Sequence, residues 1–170
     1  KLLNSGFDNG HGYIRMPKRP ASATALAAII LQSSQNDMHG GQSFAFFDKD
    51  MAPFMANATD EETYQAMEAL IYNLNSMHSR AGAQVPFSSL NIGTDTSDLG
   101  RKVIKNILLA YEKGLGNGEN PIFPNIIFRV KENINLNPGD PNYDLFKLAI
   151  RVAAQRLNPT FSFMDSSFNR

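Results

Sequence analysis

The chain has 170 residues, of which 42% are hydrophobic and 19% charged, and its 16 Lys and Arg residues balance 16 Asp and Glu residues. This composition excludes a disordered chain. The zero net charge excludes a general attraction to nucleic acid or anionic membranes, and no apolar run approaches the roughly 18 residues that cross a bilayer. The absence of cysteine excludes disulfides, thiolate metal sites and cysteine nucleophiles within these residues. We therefore expect a single soluble globular segment that binds anions only locally.

Two helices are predicted in the first half of the chain. An Ala-rich run over 22–37 has the small flanks of a buried, closely packed helix, and it ends at the glycines 40–41. A second helix, over 61–80, begins with Thr59 and Glu62 at the spacing of a capping box, and large apolar residues then recur at helical spacing.

The second half of the chain alternates between strands and helices. Strands are predicted at 84–93, 122–130 and 160–165, with amphipathic helices at 98–113 and 141–156 between them. Strands separated by one helix are typical of right-handed β-α-β crossovers in a parallel sheet, whether the sheet is open or closed into a barrel. The predicted fold class is therefore α/β.

Local signals mark where these later helices begin. Ser97 is expected to cap the first of them, and Asp140 followed by Pro141 is expected to open the second. The glycines at 114–118 follow a helix instead of preceding one, so they make a poor phosphate loop.

The strand at 84–93 offers the clearest candidate site. Alternation places Ser89 and Asn91 on one face, and Ser88, Leu90 and Ile92 on a second face that suits a helix layer. Ligands of parallel sheets and barrels bind at the carboxyl ends of the strands, so Ser89 and Asn91 are candidate pocket residues, with Ser88 as the alternative if the register slips by one. The other interpretation is that these short polar side chains only satisfy nearby backbone groups.

Arg129 and Lys131 at the end of the next strand form a candidate phosphate site. A guanidinium can hold a phosphate through two hydrogen bonds, although a solvated arginine at a strand exit is the more frequent outcome. The turn formed by His39, Gly40, Gly41 and Gln42 could present backbone N–H groups and an amide to a substrate, or could simply cap a helix. The three histidines lack the spacing of metal ligands.

Several longer strings then become recognisable, and they run almost from end to end of the chain. They are GFDNGHG at 6–12, PKRP at 17–20, QNDMHGGQ at 35–42, SRAGAQVPFSSLN at 79–91, PIFPN at 121–125 and GDPNY at 139–143. In these strings the chain resembles the anaerobic, glycyl-radical ribonucleoside-triphosphate reductases, also called class III ribonucleotide reductases.

The resemblance implies a ten-stranded α/β barrel built from two five-stranded halves, of which this chain is about one half. It implies a cytoplasmic homodimer that reduces ribonucleoside triphosphates, with formate as reductant and ATP or deoxynucleotides as effectors. A radical S-adenosylmethionine activase generates the glycyl radical, which in turn generates a thiyl radical on a barrel cysteine. Neither nucleic acid nor membrane is an implied partner.

The resemblance also implies that the radical chemistry lies outside these residues. The family's two barrel cysteines flank this stretch, and its zinc-binding cysteines and glycyl radical lie near the far C-terminus. Because the chain opens at Lys1 without Met and holds no cysteine, we expect an internal segment of the catalytic barrel. We expect no catalytic residue, bound cofactor, metal or ATP-cone domain within it.

The resemblance extends the list of candidate site residues. Substrate-pocket candidates are Ser88, Ser89, Asn91, His39, Gly40, Gly41 and Gln42, and candidates for phosphate or effector binding are Arg129, Lys131, Gln32, Gln35 and Arg80. Ala23, Ala27 and Ala28 are expected to pack either across a dimer interface or within their own subunit. Asn91→Ala is expected to lower turnover with little effect on folding.

Two other functions stay open at this point. One is a different glycyl-radical enzyme, such as a lyase of the pyruvate formate-lyase type, which shares the barrel. The other is a non-catalytic half-barrel that only binds nucleotide or dimerises.

Overall fold

The computed structural model describes five short pieces of the first 27 residues and most of the chain from residue 42 onward. The described ranges are 7–8, 13–14, 19, 22–24, 27, 42–76, 88–116, 118–122 and 124–166. In these ranges the elements are β1 (Phe7–Asp8), β2 (Tyr13–Ile14), β3 (Gln42–Phe44), α1 (Phe47–Met51), a 3-10 helix (Ala52–Met55), α2 (Asp60–Ser76), β4 (Ser88–Ile92), α3 (Asp98–Lys113), β5 (Asn125–Val130), α4 (Tyr143–Arg156) and β6 (Thr160–Phe163).

The main sheet confirms the predicted α/β class. Its order is β3-β4-β5-β6, and each neighbouring pair is parallel. β1 and β2 form a separate antiparallel pair. Because each strand lies beside the next one along the chain, right-handed crossovers place all connecting helices on the same face of the sheet. A sheet wound in one direction is the geometry of a barrel wall.

The hydrophobic core lies between this sheet and its helices. Leu90 and Ile92 of β4 are almost fully buried, as the alternation predicted, and they belong to one cluster with apolar residues of α2, α3 and α4. β5 contributes the same face of its own strand to that cluster, through Ile126, Phe128 and Val130.

The helix caps are set by local hydrogen bonds. The Glu62 N–H donates to Thr59 Oγ1 at 3.1 Å, and the Gly100 N–H donates to Ser97 Oγ at 3.1 Å, which confirms both predicted caps. The predicted start of the helix at 141–156 is wrong, because α4 begins at Tyr143 after Asn142. Asp140 instead accepts from the Asn137 N–H, within the preceding turn.

Three further details differ from the sequence prediction. Gln42, expected in a turn, is the first residue of β3, and the helical segment 47–55 is not predicted from the sequence. Ile122 is the first residue of the strand predicted at 122–130, but β5 begins only at Asn125 and Ile122 is 73% exposed.

The two early helices are described only in part. α2 covers Asp60–Ser76 of the predicted 61–80, and residues 22–24 and 27 of the predicted 22–37 are helical. Ala23 and Ala27 are fully buried within this single chain, Ala23 in the hydrophobic core, whereas Ala28 lies outside the described residues. Among the described helices, none has the length and apolar character needed to span a membrane.

Candidate functional site

The face of the main sheet that turns away from the buried core is strongly polar. Strand register aligns Ser43, Ser89 and Asn125 in one row, Asn91, Ile127 and Thr160 in the next, and Arg129 with Ser162 in the last. Side chains of residues paired in register share one face of a sheet. We call this set the polar sheet face: Ser43, Ser89, Asn91, Asn125, Ile127, Arg129, Thr160 and Ser162.

Asn91 lies near the carboxyl end of β4 and is 8% exposed. Its side-chain Nδ2 donates to Ser43 Oγ at 3.1 Å and to the Phe44 carbonyl at 2.9 Å. With both amide hydrogens used inside the sheet, the side-chain Oδ1 is the group of Asn91 that a ligand hydroxyl can reach. The nitrogen of Asn91 thus binds a hydroxyl and a backbone carbonyl of the neighbouring strand, which are 48 and 47 residues away in the sequence, and not local backbone.

Ser89 is half-buried on the same face, one row before Asn91. The register is the predicted one, because Leu90 and Ile92 are buried in the core on the other face. The alternative register based on Ser88 is therefore not the one observed. The side chain of Ser88 lies outside the described residues.

Arg129 is the cation of the polar sheet face. Its guanidinium carbon lies 4.8 Å from the ring centroid of Phe46, a residue that is 48% exposed. An arginine stacked on a ring keeps its N–H edge available for a phosphate while the ring fixes its plane. Lys131 follows the end of β5 and is exposed, so it lies beside this face and not on it.

Comparison with known proteins decides the family. The model of the anaerobic ribonucleoside-triphosphate reductase family matches residues 1–170, the full length of the chain. The chain belongs to this family. The anaerobic ribonucleoside-triphosphate reductase of Enterobacteria phage T4 is 33% identical over 93% of this chain, and that of Escherichia coli is 31% identical over the same share.

The chain spans 30% of the length of the T4 reductase and 25% of that of the E. coli reductase. The crystal structure of the anaerobic ribonucleotide reductase from Thermotoga maritima in complex with dATP and CTP superposes with a TM-score of 0.69. This likeness covers 97% of the present chain and 32% of the T. maritima chain, at 12% identity. It shows that the α/β fold described above is that of an anaerobic reductase.

Several of the predicted site residues belong to parts of the chain outside the described ranges. His39, Gly40, Gly41, Gln32, Gln35 and Arg80 lie outside the described residues. Gln42 was interpreted as part of a turn, but it is the first residue of β3. Among the predicted residues, the described structure therefore brings together Ser89, Asn91 and Arg129.

The sequence analysis did not predict a buried polar network at the carboxyl edge of the main sheet. Asp48, Asn135 and Asn142 are each at most 1% exposed, and all three converge on the turn at residues 93–95. Asp48 Oδ2 accepts from the Gly93 N–H at 2.9 Å and from the Asp95 N–H at 3.2 Å. An aspartate directly after the apolar run at 44–47 was the available signal.

Burial shifts the pKa of Asp48. Desolvation raises the pKa of its carboxyl, and the hydrogen bonds from the N–H groups of Asp95, Lys49 and Gly93 oppose this rise only in part. The side chain is thus held by its hydrogen bonds in a site that disfavours its charge. This combination suits a residue that fixes backbone geometry.

The described part of the chain offers little for a metal ion or a closed ligand cavity. Within it, no three His, Cys, Asp or Glu side chains are arranged as a metal site. A cavity of about 310 Å³ opens between α2 and α3, lined in part by Glu68, Tyr72 and Lys113. This cavity shares no residue with the polar sheet face, and none of its lining residues belongs to a strand of the main sheet.

Proposed function

We propose that the intact protein reduces ribonucleoside triphosphates to deoxyribonucleoside triphosphates under anaerobic conditions, and that this chain supplies part of the barrel wall around the substrate. The observation that carries the proposal is the polar sheet face at the strand ends of a chain whose full length matches the reductase family. The names of the T4 and E. coli relatives support the same activity.

The overall reaction balances with formate as the reductant. The ribose 2′-hydroxyl leaves as water after taking up one proton. The oxidation of formate to carbon dioxide supplies the two electrons and the hydrogen that replaces the hydroxyl. This chain contains no cysteine, so a radical generated elsewhere in the intact protein abstracts the hydrogen atom from the ribose. Carbon radicals are quenched by solvent and oxygen, so a closed wall is a physical requirement of the reaction.

The residues of this chain bind and orient the substrate in our proposal. Asn91 accepts a hydrogen bond from a ribose hydroxyl through its Oδ1, and Ser89 adds a hydroxyl one row away. Arg129 holds phosphate oxygens while Phe46 supports its guanidinium, and Lys131 adds positive charge beside it. No step of the chemistry is assigned to these groups beyond binding, orientation and exclusion of water.

Regulation and assembly follow the same reasoning. We propose a cytoplasmic homodimer, activated by a radical S-adenosylmethionine enzyme, in which Gln32, Gln35 and Arg80 contact a nucleotide effector. Zinc and the glycyl radical are assigned to parts of the intact protein outside this chain. The dATP and CTP in the T. maritima complex support nucleotide binding by this fold.

The activity is tested with the full-length protein, activated anaerobically by its activase and supplied with formate and labelled ribonucleoside triphosphates. We expect labelled deoxyribonucleoside triphosphates in amounts that require formate. Nucleotide binding without any turnover would support a non-catalytic half-barrel instead, and absence of nucleotide binding would support another glycyl-radical enzyme.

The phosphate contact is tested separately by Arg129→Gln, with Arg151→Gln as the matched control. Arg151 is a surface arginine on α4 that pairs with Glu112 at 2.8 Å, away from the polar sheet face. We expect Arg129→Gln to weaken triphosphate binding by roughly tenfold or more, since a charge-assisted hydrogen bond contributes about 1.5–3 kcal/mol. Binding of the unphosphorylated nucleoside should not change. Equal affinities for the triphosphate in both variants would contradict the assignment.

A further inference from the structure

Side chains hold the turn that follows β4 at two residues, Gly93 and Asp95. At each of these residues, both the backbone N–H group and the backbone carbonyl are hydrogen-bonded to a side chain. The two N–H groups donate to Asp48. The Gly93 carbonyl accepts from Asn135 and Asn142, both at 3.0 Å, and the Asp95 carbonyl accepts from Asn142 at 2.8 Å. Three side chains, one from α1 and two from the connection between β5 and α4, therefore fix one short backbone segment.

Asn135 also ties this turn to the neighbouring strand. Its Nδ2 donates to the Arg129 carbonyl at 2.8 Å as well as to Gly93, and its Oδ1 accepts from the Lys131 N–H at 2.9 Å. One fully buried side chain thereby joins the carboxyl end of β4 to that of β5.

The two strand ends are also in close contact. Gly93 has a φ of +116°, and a Cβ at this position would lie 3.0 Å from the Arg129 carbonyl oxygen and 3.2 Å from the Phe128 ring. Glycine permits this approach, and the network then prevents the strand ends from separating. Asn91 lies two residues before the turn, and Arg129 is the residue whose carbonyl is bound.

We infer that Asn135, together with Asp48 and Asn142, is a positioning residue that sets the spacing between Asn91 and Arg129 at the substrate. This inference rests on the proposed function, because it takes these two side chains as substrate contacts. The ligand whose fit the spacing determines is a nucleoside triphosphate, with its ribose at Asn91 and its phosphates at Arg129.

The chemistry of the network favours this role over simple stabilisation. Apolar residues of similar volume fill a core without the cost of burying polar groups, whereas buried hydrogen bonds impose distances and directions. Here the side-chain N–H groups of Asn135 and Asn142, and the Oδ2 of Asp48, all bond to one turn or to the adjacent strand end. The Oδ1 of Asp48 accepts from the Lys49 N–H, and the Oδ1 of Asn142 accepts from Arg101. A displacement of about 1 Å in a bound reactant can cost up to about a hundredfold in rate.

The test compares Asn135→Asp with Asn106→Asp in the full-length protein. Asn106 is also a buried asparagine whose Nδ2 donates to a carbonyl, that of Lys102 at 2.8 Å, but it does so within α3. Each substitution keeps the shape of the side chain and replaces the amide donor with a carboxylate oxygen. We expect Asn135→Asp to weaken ribonucleoside-triphosphate binding by roughly tenfold or more, while Asn106→Asp stays within about twofold of wild type.

A second comparison separates positioning from general loosening. In a protein that already carries Asn91→Ala and Arg129→Gln, Asn135→Asp should cause little further loss of affinity, since the contacts that it positions are gone. A full additional loss in that background would overturn the inference. If Asn135→Asp does not fold, Asn142→Asp carries the same test, because it removes donors from the turn and keeps the acceptor that Arg101 uses.

The failures of the two proposals are distinguishable. If Asn91→Ala and Arg129→Gln weaken binding while Asn135→Asp behaves like Asn106→Asp, the positioning role is wrong and the substrate site stands. If Asn91→Ala, Arg129→Gln and Asn135→Asp all bind nucleotide like wild type, the substrate site itself is wrong, and the inference is overturned with it.

Discussion

The side-chain amide of Asn91 on β4 donates to the hydroxyl of Ser43 on β3 at 3.1 Å, across two parallel strands that are separated by 43 residues in the sequence. The same nitrogen donates to the Phe44 carbonyl at 2.9 Å. A residue that we assign to the substrate therefore also holds the short strand β3 against the sheet. The expectation that Asn91→Ala would hardly affect folding conflicts with these two bonds.

Asn91→Ala should lower the free energy of unfolding by about 1–3 kcal/mol, because the Phe44 carbonyl and the Ser43 hydroxyl lose the donor that the buried Asn91 supplies. Ser43→Ala removes one neutral bond at an exposed residue, and it should cost less, about 0.5–1.5 kcal/mol. Chemical denaturation of the full-length variants measures both values. A larger loss for Ser43→Ala than for Asn91→Ala would contradict the hydrogen bonds described.

Gly93→Ala should destabilise the protein strongly. The positive φ costs about 1–2 kcal/mol in an alanine, and the contacts of the added Cβ with the Arg129 carbonyl and the Phe128 ring add about 1–3 kcal/mol. Gly116 is the control, because a Cβ there meets nothing within 4 Å. Gly116→Ala should be neutral or slightly stabilising in the same thermal unfolding experiment. Similar melting temperatures for both variants would contradict the close approach of β4 and β5.

The ion pair between Arg101 and Asp144 should make a small, acid-sensitive contribution to stability. The hydrogen bond from Arg101, at 2.6 Å to Oδ2, is the main reason why the pKa of Asp144 lies below its usual value of 3.8. A lowered pKa stabilises the folded state above the unfolded value, and this stability is lost as the pH falls through the folded value. Because the Asp144 side chain is 62% exposed, solvent screening limits the effect to about 0.2–1 kcal/mol.

Asp144→Asn tests this contribution. The variant should be less stable than wild type at neutral pH. The difference should shrink as the pH falls below 3.8, disappear below the lowered pKa of the folded state, and also shrink in high salt. Urea denaturation at a series of pH values measures the difference. A gap between the two proteins that is constant across pH would show that the charge of Asp144 is not involved.

Asp48 should show the opposite pH dependence. Burial raises the pKa of its carboxyl above 3.8 in the folded state. The stability gained by protonating it is fully present below pH 3.8 and is lost as the pH rises through the raised pKa. In the neutral variant Asp48→Asn this term is absent, so wild type should lose stability relative to the variant over that interval. Parallel stability profiles for the two proteins would contradict the desolvation of Asp48.

The amino-acid sequence by itself determined the features that depend on near neighbours. α3 begins and ends at the predicted residues because Ser97 caps it and its apolar residues recur at helical spacing. Alternation in β4 correctly separated Leu90 and Ile92 from Asn91, because successive side chains of a strand point to opposite faces. Helix caps and hydrophobic periodicity depend on residues that are close together in the sequence, so they can be predicted from it.

Only the tertiary structure decided the features that depend on residues far apart in the chain. β3 has three residues, too few to show alternation, and it exists as a strand through its pairing with β4. The partners of the turn at Gly93 lie 45, 42 and 49 residues away, at Asp48, Asn135 and Asn142. Hydrogen bonds over such separations form only when the sheet brings the strand ends together, so no local sequence pattern predicts which residues are partners.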